Sequence, residues 1–226
     1  MAFNYSPKIV TDGLVLYLDA ANPNSYVSGS TFWNDISRGG NSGTLVNGPT
    51  FSSQNGGSIV FDGTNDTVNI PTLPNTSFSL VSSSFTVDMW VRVDGGSVSG
   101  LISSNQSPSA GGQYHIVRRY GIVQVSFYFG TELSGTTFPT GSWVNIVHTY
   151  NYTNQTSSLY QQGTRTGIGG MGTPLVTSAS LYLGWFGFGG AYLSGSIAST
   201  KIYNRTLTAQ EVTQNYNATK TRFGLI

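Results

Sequence analysis

The sequence predicts an all-β protein, a two-sheet antiparallel β-sandwich closed by one short C-terminal helix. Three observations carry this expectation. Apolar residues recur at period two through most of the chain, Gly, Ser and Asn punctuate the runs at turn spacing, and helix signals are confined to the last thirty-odd residues. Charged residues make up 8% of the 226 residues where about 25% is usual. A disordered chain of that polarity lacks aromatics, whereas 12 Phe, 13 Tyr and 4 Trp supply a packed core here.

In chain order, Phe85, Val87, Met89, Val91 and Val93 fall on one side of a strand, with Thr86, Asp88 and Arg92 on the other. Asp94-Gly95-Gly96 supplies the turn that ends it. Val123, Val125, Phe127 and Phe129 alternate with Gln124, Ser126 and Tyr128, and Arg119-Tyr120-Gly121 reads as the hairpin tip before them. Val87, Met89, Val91, Val123, Val125 and Phe127 are therefore expected inside. The Ser/Gly-rich stretches 97–112 and 163–173 read as loops, no linker divides the chain, and residues 1–226 are expected to form a single domain.

A strand is expected from Ser194 to Tyr203, then Asn204-Arg205-Thr206-Leu207, then a helix near residues 209–218. Thr208 and Glu211 stand three apart, the spacing of a capping box, and Leu207 and Val212 occupy the positions of a hydrophobic staple.

The net charge of +1 and the scattered basic residues, with Arg118-Arg119 the one adjacent pair, argue against nucleic acid and anionic lipid as partners. The absence of cysteine excludes disulfides, thiolate metal sites and a cysteine nucleophile, and fits folding in a reducing cytoplasm. Met1-Ala2-Phe3-Asn4-Tyr5-Ser6-Pro7 has no basic n-region, and the apolar run from Leu14 to Leu18 is too short for a signal or a membrane span. The Asn-x-Ser/Thr triplets at Asn151, Asn204 and Asn217 read as a product of composition.

Five ordered blocks carry a resemblance. They are Gly13-Leu14-Val15-Leu16-Tyr17-Leu18-Asp19-Ala20-Ala21-Asn22-Pro23 with Trp33-Asn34-Asp35-Ile36-Ser37 and Gly43-Thr44-Leu45; Ser58-Ile59-Val60-Phe61-Asp62-Gly63-Thr64-Asn65-Asp66; Phe85-Thr86-Val87-Asp88-Met89-Trp90-Val91; Trp143-Val144-Asn145-Ile146-Val147-His148-Thr149-Tyr150; and the strand and capped helix of the tail. In that order they resemble laminin-G-like, concanavalin-A-like jelly-roll domains. The phrases from Leu18 to Tyr26 and from Gln214 to Gly224 are similar to those of laminin-G-like proteins on tailed-bacteriophage virions.

The resemblance extends to glucanases, which need two carboxylates about the scissile bond. The chain has only Glu132 and Glu211, the latter accounted for by the helix cap, and no closely spaced aspartate pair on a strand face. His115 and His148 stand alone. The expectation is a protein that is not an enzyme. Laminin-G-like domains also imply calcium, for which Asp62, Asn65 and Asp66 offer hard oxygens on one turn. The same residues suit a tight hairpin in their own right. Trp185, Phe186, Phe188 and Tyr192 lie among glycines where the family layout puts a connection between two late strands. Exposed rings there would stack on a sugar, or the loop would fold back on the sandwich or against a neighbouring subunit.

The resemblance implies a virion structural protein of a tailed bacteriophage, a head decoration, fibre or tail appendage, assembled in the host cytoplasm and acting as a surface-displayed interaction or adhesion module. Its expected partners are other virion proteins and further copies of itself, without nucleic acid or membrane insertion. The alternative is a carbohydrate-binding, lectin-like module that contacts host-surface glycans.

Overall fold

The computed structural model describes residues 7–71, 83–104, 114–127, 132–172, 180–187 and 190–226. In chain order its strands are β1 (Leu14–Asp19), β2 (Phe32–Trp33), β3 (Gly43–Val46), β4 (Thr50–Ser52), β5 (Ser58–Asp62), β6 (Thr67–Ile70), β7 (Phe85–Val93), β8 (Val98–Ser104) and β9 (Tyr114–Arg119). They continue as β10 (Ile122–Phe127), β11 (Glu132–Thr137), β12 (Trp143–Asn151), β13 (Thr156–Gln161), β14 (Thr164–Gly170), β15 (Leu181–Leu183), β16 (Trp185–Phe186), β17 (Ala191–Tyr192) and β18 (Ser194–Tyr203), followed by helix α1 (Ala209–Thr219). The first sheet runs β14-β13-β12-β7-β18-β5-β4, with β1 also against β18; the second runs β11-β10-β9-β8-β15-β6-β3-β2. Every pairing is antiparallel, and β16 and β17 form a separate ribbon. This is the expected sandwich with one short C-terminal helix.

The alternation read from the sequence sets the core. Phe85, Val87, Met89, Val91 and Val93 meet Val123, Val125 and Phe127 in one buried cluster. Tyr120 and Gly121 form the two-residue turn between β9 and β10, both with positive φ, 48° and 80°. That sign at both central residues matches the right-handed twist of the flanking strands. Phe129 and Tyr128 lie outside the described residues.

Two expected loops contain strands instead. β8 and β14 fall within 97–112 and 163–173, and their Ser and Gly residues serve close packing. A Cβ on Gly167 would stand 2.8 Å from the Ser134 carbonyl oxygen of β11, so glycine lets these two edge strands approach and close one side of the sandwich. Ser104 on β8 is fully buried, with its Oγ accepting from the Tyr114 amide at 2.9 Å.

The period-two pattern of β7 implies one dry and one wet face, but Thr86, Asp88 and Trp90 are buried too. The C-terminal segment covers them. Thr86 Oγ1 accepts from the Leu207 amide at 2.9 Å, Trp90 Nε1 donates to Thr219 Oγ1 at 2.8 Å, and the Trp90 ring stacks on Phe223 at 4.1 Å. Leu207 and Val212 pack with Val10, Val147, Tyr160 and Tyr203 in a second cluster.

The helix starts as predicted. Thr208 Oγ1 accepts from the Glu211 amide, and Glu211 Oε2 accepts from the Thr208 amide at 2.9 Å. Arg205 adds a fork that the sequence reading missed, with Nη1 and Nη2 on the two Glu211 oxygens at 2.9 and 2.6 Å. These bonds, the Arg205 contact foremost, hold the Glu211 carboxyl down at about 2.

Candidate glycan-binding face

At the end of β15 the chain turns on Gly184, which has φ 81° and whose Cβ would lie 2.5 Å from the Phe61 ring. From there the β16–β17 ribbon folds back over the outer face of the second sheet, Trp185 opposite Tyr192 and Phe186 opposite Ala191. It lies directly on β8. A Cβ on Gly100 would fall 2.2 Å from the Phe186 nitrogen, and Ser103 Oγ donates to the Trp185 carbonyl oxygen at 2.8 Å.

The three described aromatics of this segment therefore divide. Phe186 does not present an exposed ring: it is 4% exposed, its ring 4.6 Å from that of His115 and 6.0 Å from the Arg119 guanidinium carbon. The physical reason is that β16 alternates like any strand, so neighbouring rings point to opposite faces of the ribbon. Trp185 and Tyr192 stay half-buried, and Trp185 meets Tyr182 edge to face at 5.1 Å. Phe188 lies outside the described residues.

The strand register places this corner near the middle of a larger surface. Residues paired directly across adjacent strands share a face. Glu132, Ser126, His115, Ser103, Tyr182, Asn69, Thr44 and Phe32 form one such row, with one residue from each of the eight strands. Its charged member, Glu132, sits at the far edge with Arg119 at 3.5 Å. The imidazole of His115 is held down at about 4 by burial first and by Arg119 second, so the row from Ser126 to Phe32 carries no charge at neutral pH.

Tyr182, Asn69 and Thr44 are half-buried and Phe32 is 55% exposed. Three strand spacings separate Tyr182 from Phe32, about 14 Å. On this face Asn69 Oδ1, His115 Nδ1 and Gln124 Oε1 are buried without a hydrogen-bond partner among the described residues. Tyr182, Asn69, Thr44 and Phe32 were not found from the sequence, because their adjacency depends on pairings between distant segments. The one local signal was the Leu181-Tyr182-Leu183 alternation, which turns a tyrosine outward between two core leucines.

Asp62, Asn65 and Asp66 do come together on the β5–β6 turn, where they close the turn itself. Asp62 Oδ1 accepts from the Thr64 amide at 2.8 Å, Asp66 Oδ2 accepts from the Asp62 amide at 3.0 Å, and the Asn65 carbonyl oxygen accepts from Asn47 at 2.9 Å. The Thr64 amide, foremost among these donors, lowers the Asp62 carboxyl, while burial raises that of Asp66. Calcium needs six to eight converging oxygens. Here the carboxylates point at the turn's own amides, so this donor set does not fit the ion.

The remaining acids are also engaged. Asp12 and Glu211 pair with Arg205, Asp19 with Arg222, Asp94 with Arg92 and Asp88 with Lys201, while Asp35 accepts the amides of Tyr17, Ser37 and Asn41.

A family model described as the concanavalin A-like lectin/glucanases superfamily, of laminin G type, matches residues 62–213, more than half of the chain. No curated protein matches the sequence. Among solved structures, the receptor binding domain of botulinum neurotoxin D is similar with a TM-score of 0.71 at 13% identity, over 91% of this chain and 52% of that one. The receptor binding domain of the botulinum neurotoxin C/D mosaic serotype gives 0.70 at 13%, over 92% and 51%. Trypanosoma rangeli sialidase in complex with 2,3-difluorosialic acid gives 0.70 at 16%, over 98% and 36%. The chain thus spans about half the length of the neurotoxin domains and about a third of the sialidase, and at these identities the likeness is one of fold. With the sandwich, the register and the family match together, the chain belongs to the concanavalin A-like lectin/glucanases superfamily as a laminin-G-like jelly-roll domain.

Proposed function

We propose that this domain is a non-catalytic, lectin-like adhesion module of a tailed-bacteriophage virion, binding neutral host-surface glycans on the outer face of its second sheet. The observation that carries the glycan reading is the Trp185–Tyr182 corner at the head of an uncharged row of Asn69, Thr44 and Phe32. Pyranose rings have apolar faces that stack on aromatics and equatorial hydroxyls that bond amides and hydroxyls, and a row of this length accommodates a short oligosaccharide. The engagement of the acids supports the non-catalytic reading, since glycoside hydrolysis needs two carboxylates facing one bond. The virion setting rests on the resemblance of the segments from Leu18 to Tyr26 and from Gln214 to Gly224.

A glycan array with wild type and with Trp185→Ala and Tyr182→Ala tests the reading. Binding lost in both variants, with unchanged melting, is the expected result. Wild type that binds no glycan overturns the lectin reading, and release of reducing sugar from a bound oligosaccharide overturns the non-catalytic one. For the virion setting, purified domain added to particles stripped of it should restore occupancy; failure to associate removes the structural role.

A further inference from the structure

A cluster of reactive groups lies on the opposite side of the molecule, between the first sheet and α1. Lys201 on β18 is 0% exposed, and Asp88, Asn145 and Asn215 are each 1% exposed. Lys201 Nζ stands 3.4 Å from Asp88 Oδ2, and Asn215 Nδ2 donates to the same oxygen at 3.0 Å. Asn145 Nδ2 donates to Asp88 Oδ1 at 2.8 Å and to the Met89 carbonyl oxygen at 3.2 Å. Asn215 Nδ2 also donates to the Tyr203 hydroxyl at 3.0 Å, and Asn215 Oδ1 accepts from the Val10 amide at 2.8 Å. The Tyr17 ring lies under the ammonium, 5.5 Å from Nζ.

We propose that Lys201 and Asn215 join in an intramolecular isopeptide bond, formed by the folded chain itself with Asp88 as the proton carrier. The parts match the chemistry of amide transfer. An amine and a carboxamide share one carboxylate oxygen, so the separation of their nitrogens cannot exceed the sum of the two distances to it. Water is excluded, which favours the amide over its hydrolysis. The acceptor carbonyl already receives a backbone N–H, which would hold the oxyanion as it forms. Asn215 is the acceptor rather than Asn145, because Asn145 lies on β12, across β7 from Lys201, and bonds the other carboxylate oxygen.

The step balances without an added reactant. Lys201 Nζ passes a proton to Asp88 Oδ2, and its lone pair attacks Cγ of Asn215, sending the carbonyl electron pair to Oδ1 beside the Val10 N–H. Collapse breaks the Cγ–Nδ2 bond, a second proton from Nζ passes through Asp88 to Nδ2, and ammonia leaves. Of the three protons on the amine, one remains in the new amide, one departs in ammonia and one stays on Asp88. The product holds no charge where the starting cluster holds a buried ion pair, and unpairing or burying such charges is costly. The bond would tie α1 to the centre of the first sheet in a chain that has no cysteine.

The test is the denatured intact mass of the purified full chain, followed by tryptic mapping. The expected mass is that of the sequence less one ammonia, with Lys201 refractory to trypsin and its peptide joined to the one containing Asn215. Lys201→Arg keeps a cation beside Asp88 and removes the nucleophile, and it should return the mass to the sequence value. If that variant does not fold, the joined peptide of the wild type decides the matter alone. A wild-type mass equal to that of the sequence after prolonged incubation in the folded state overturns the proposal. So does an ammonia loss that maps to Asn47 or Asn55, each followed by glycine, while trypsin still cuts at Lys201.

Discussion

Acid should unfold this protein from an unusually high pH, because both of its histidines are buried as neutral rings. His148 is fully enclosed, with Nδ1 3.1 Å from the Tyr114 hydroxyl and Nε2 3.0 Å from Ser157 Oγ, and burial holds its imidazole down at about 3. His115 is held at about 4. In the unfolded chain both titrate near 6.5. Below that pH the unfolded state binds protons that the folded state refuses, so stability falls as pH falls and is fully present only above the unfolded value. Each group contributes a slope of about 1.4 kcal/mol per pH unit within its window. Between pH 7 and 5 the two together remove about 4 kcal/mol, a large part of a total near 5–15. The assay is the urea midpoint at pH 7, 6 and 5, converted with a common m-value. His148→Gln keeps a polar group between Tyr114 and Ser157 and should halve the dependence. A midpoint that does not move between pH 7 and 5 refutes the claim that these rings are folded in their neutral form.

Other expectations rest on separate elements. Thr208→Ala should lower stability by roughly 0.5–2 kcal/mol, and combined with Glu211→Ala it should cost less than the sum, measured by chemical denaturation of the four proteins of the cycle. Val125→Asp should leave no cooperative melt, since an unpaired charge between the sheets costs several kcal/mol. Gly100→Ala should lift the ribbon off β8, because the new Cβ would strike the Phe186 nitrogen; Trp185 fluorescence should shift and glycan affinity fall while the melt persists.

What was legible in the sequence was what short-range pattern determines. The alternation in β7 and β10 named the core faces, the Tyr120-Gly121 turn fixed one hairpin, and Thr208 with Glu211 located the helix start. Burial on the second face of the first sheet was not legible, because Asp88 and Trp90 look like solvent-facing residues until a helix from more than a hundred positions away is laid over them. Ser and Gly in β8 and β14 look like loop composition, although there they allow another backbone to approach. The sequence marked the aromatic segment as four rings among glycines, but the sorting into the buried Phe186 and the half-exposed Trp185 follows from the ribbon's two-fold alternation over Gly100. The uncharged row from Ser126 to Phe32 depends on six successive registers, and its central links, Ser103 with Tyr182 and Tyr182 with Asn69, join segments far apart in the sequence.

β18 lies between β7 on one side and β5 and β1 on the other, so that Leu14 finds its partner only at Tyr203. Until residues 194–203 have left the ribosome, therefore, the described strands of the first sheet form three disconnected pieces, β14-β13-β12-β7, β5-β4 and β1. Contacts this distant in sequence form slowly, and the waiting strands of all three pieces present open edges. With 8% charged residues, the chain has little electrostatic repulsion to keep those edges apart in neighbouring molecules. Yield of soluble protein should thus depend on expression rate and temperature more steeply than the stability of the finished fold would suggest.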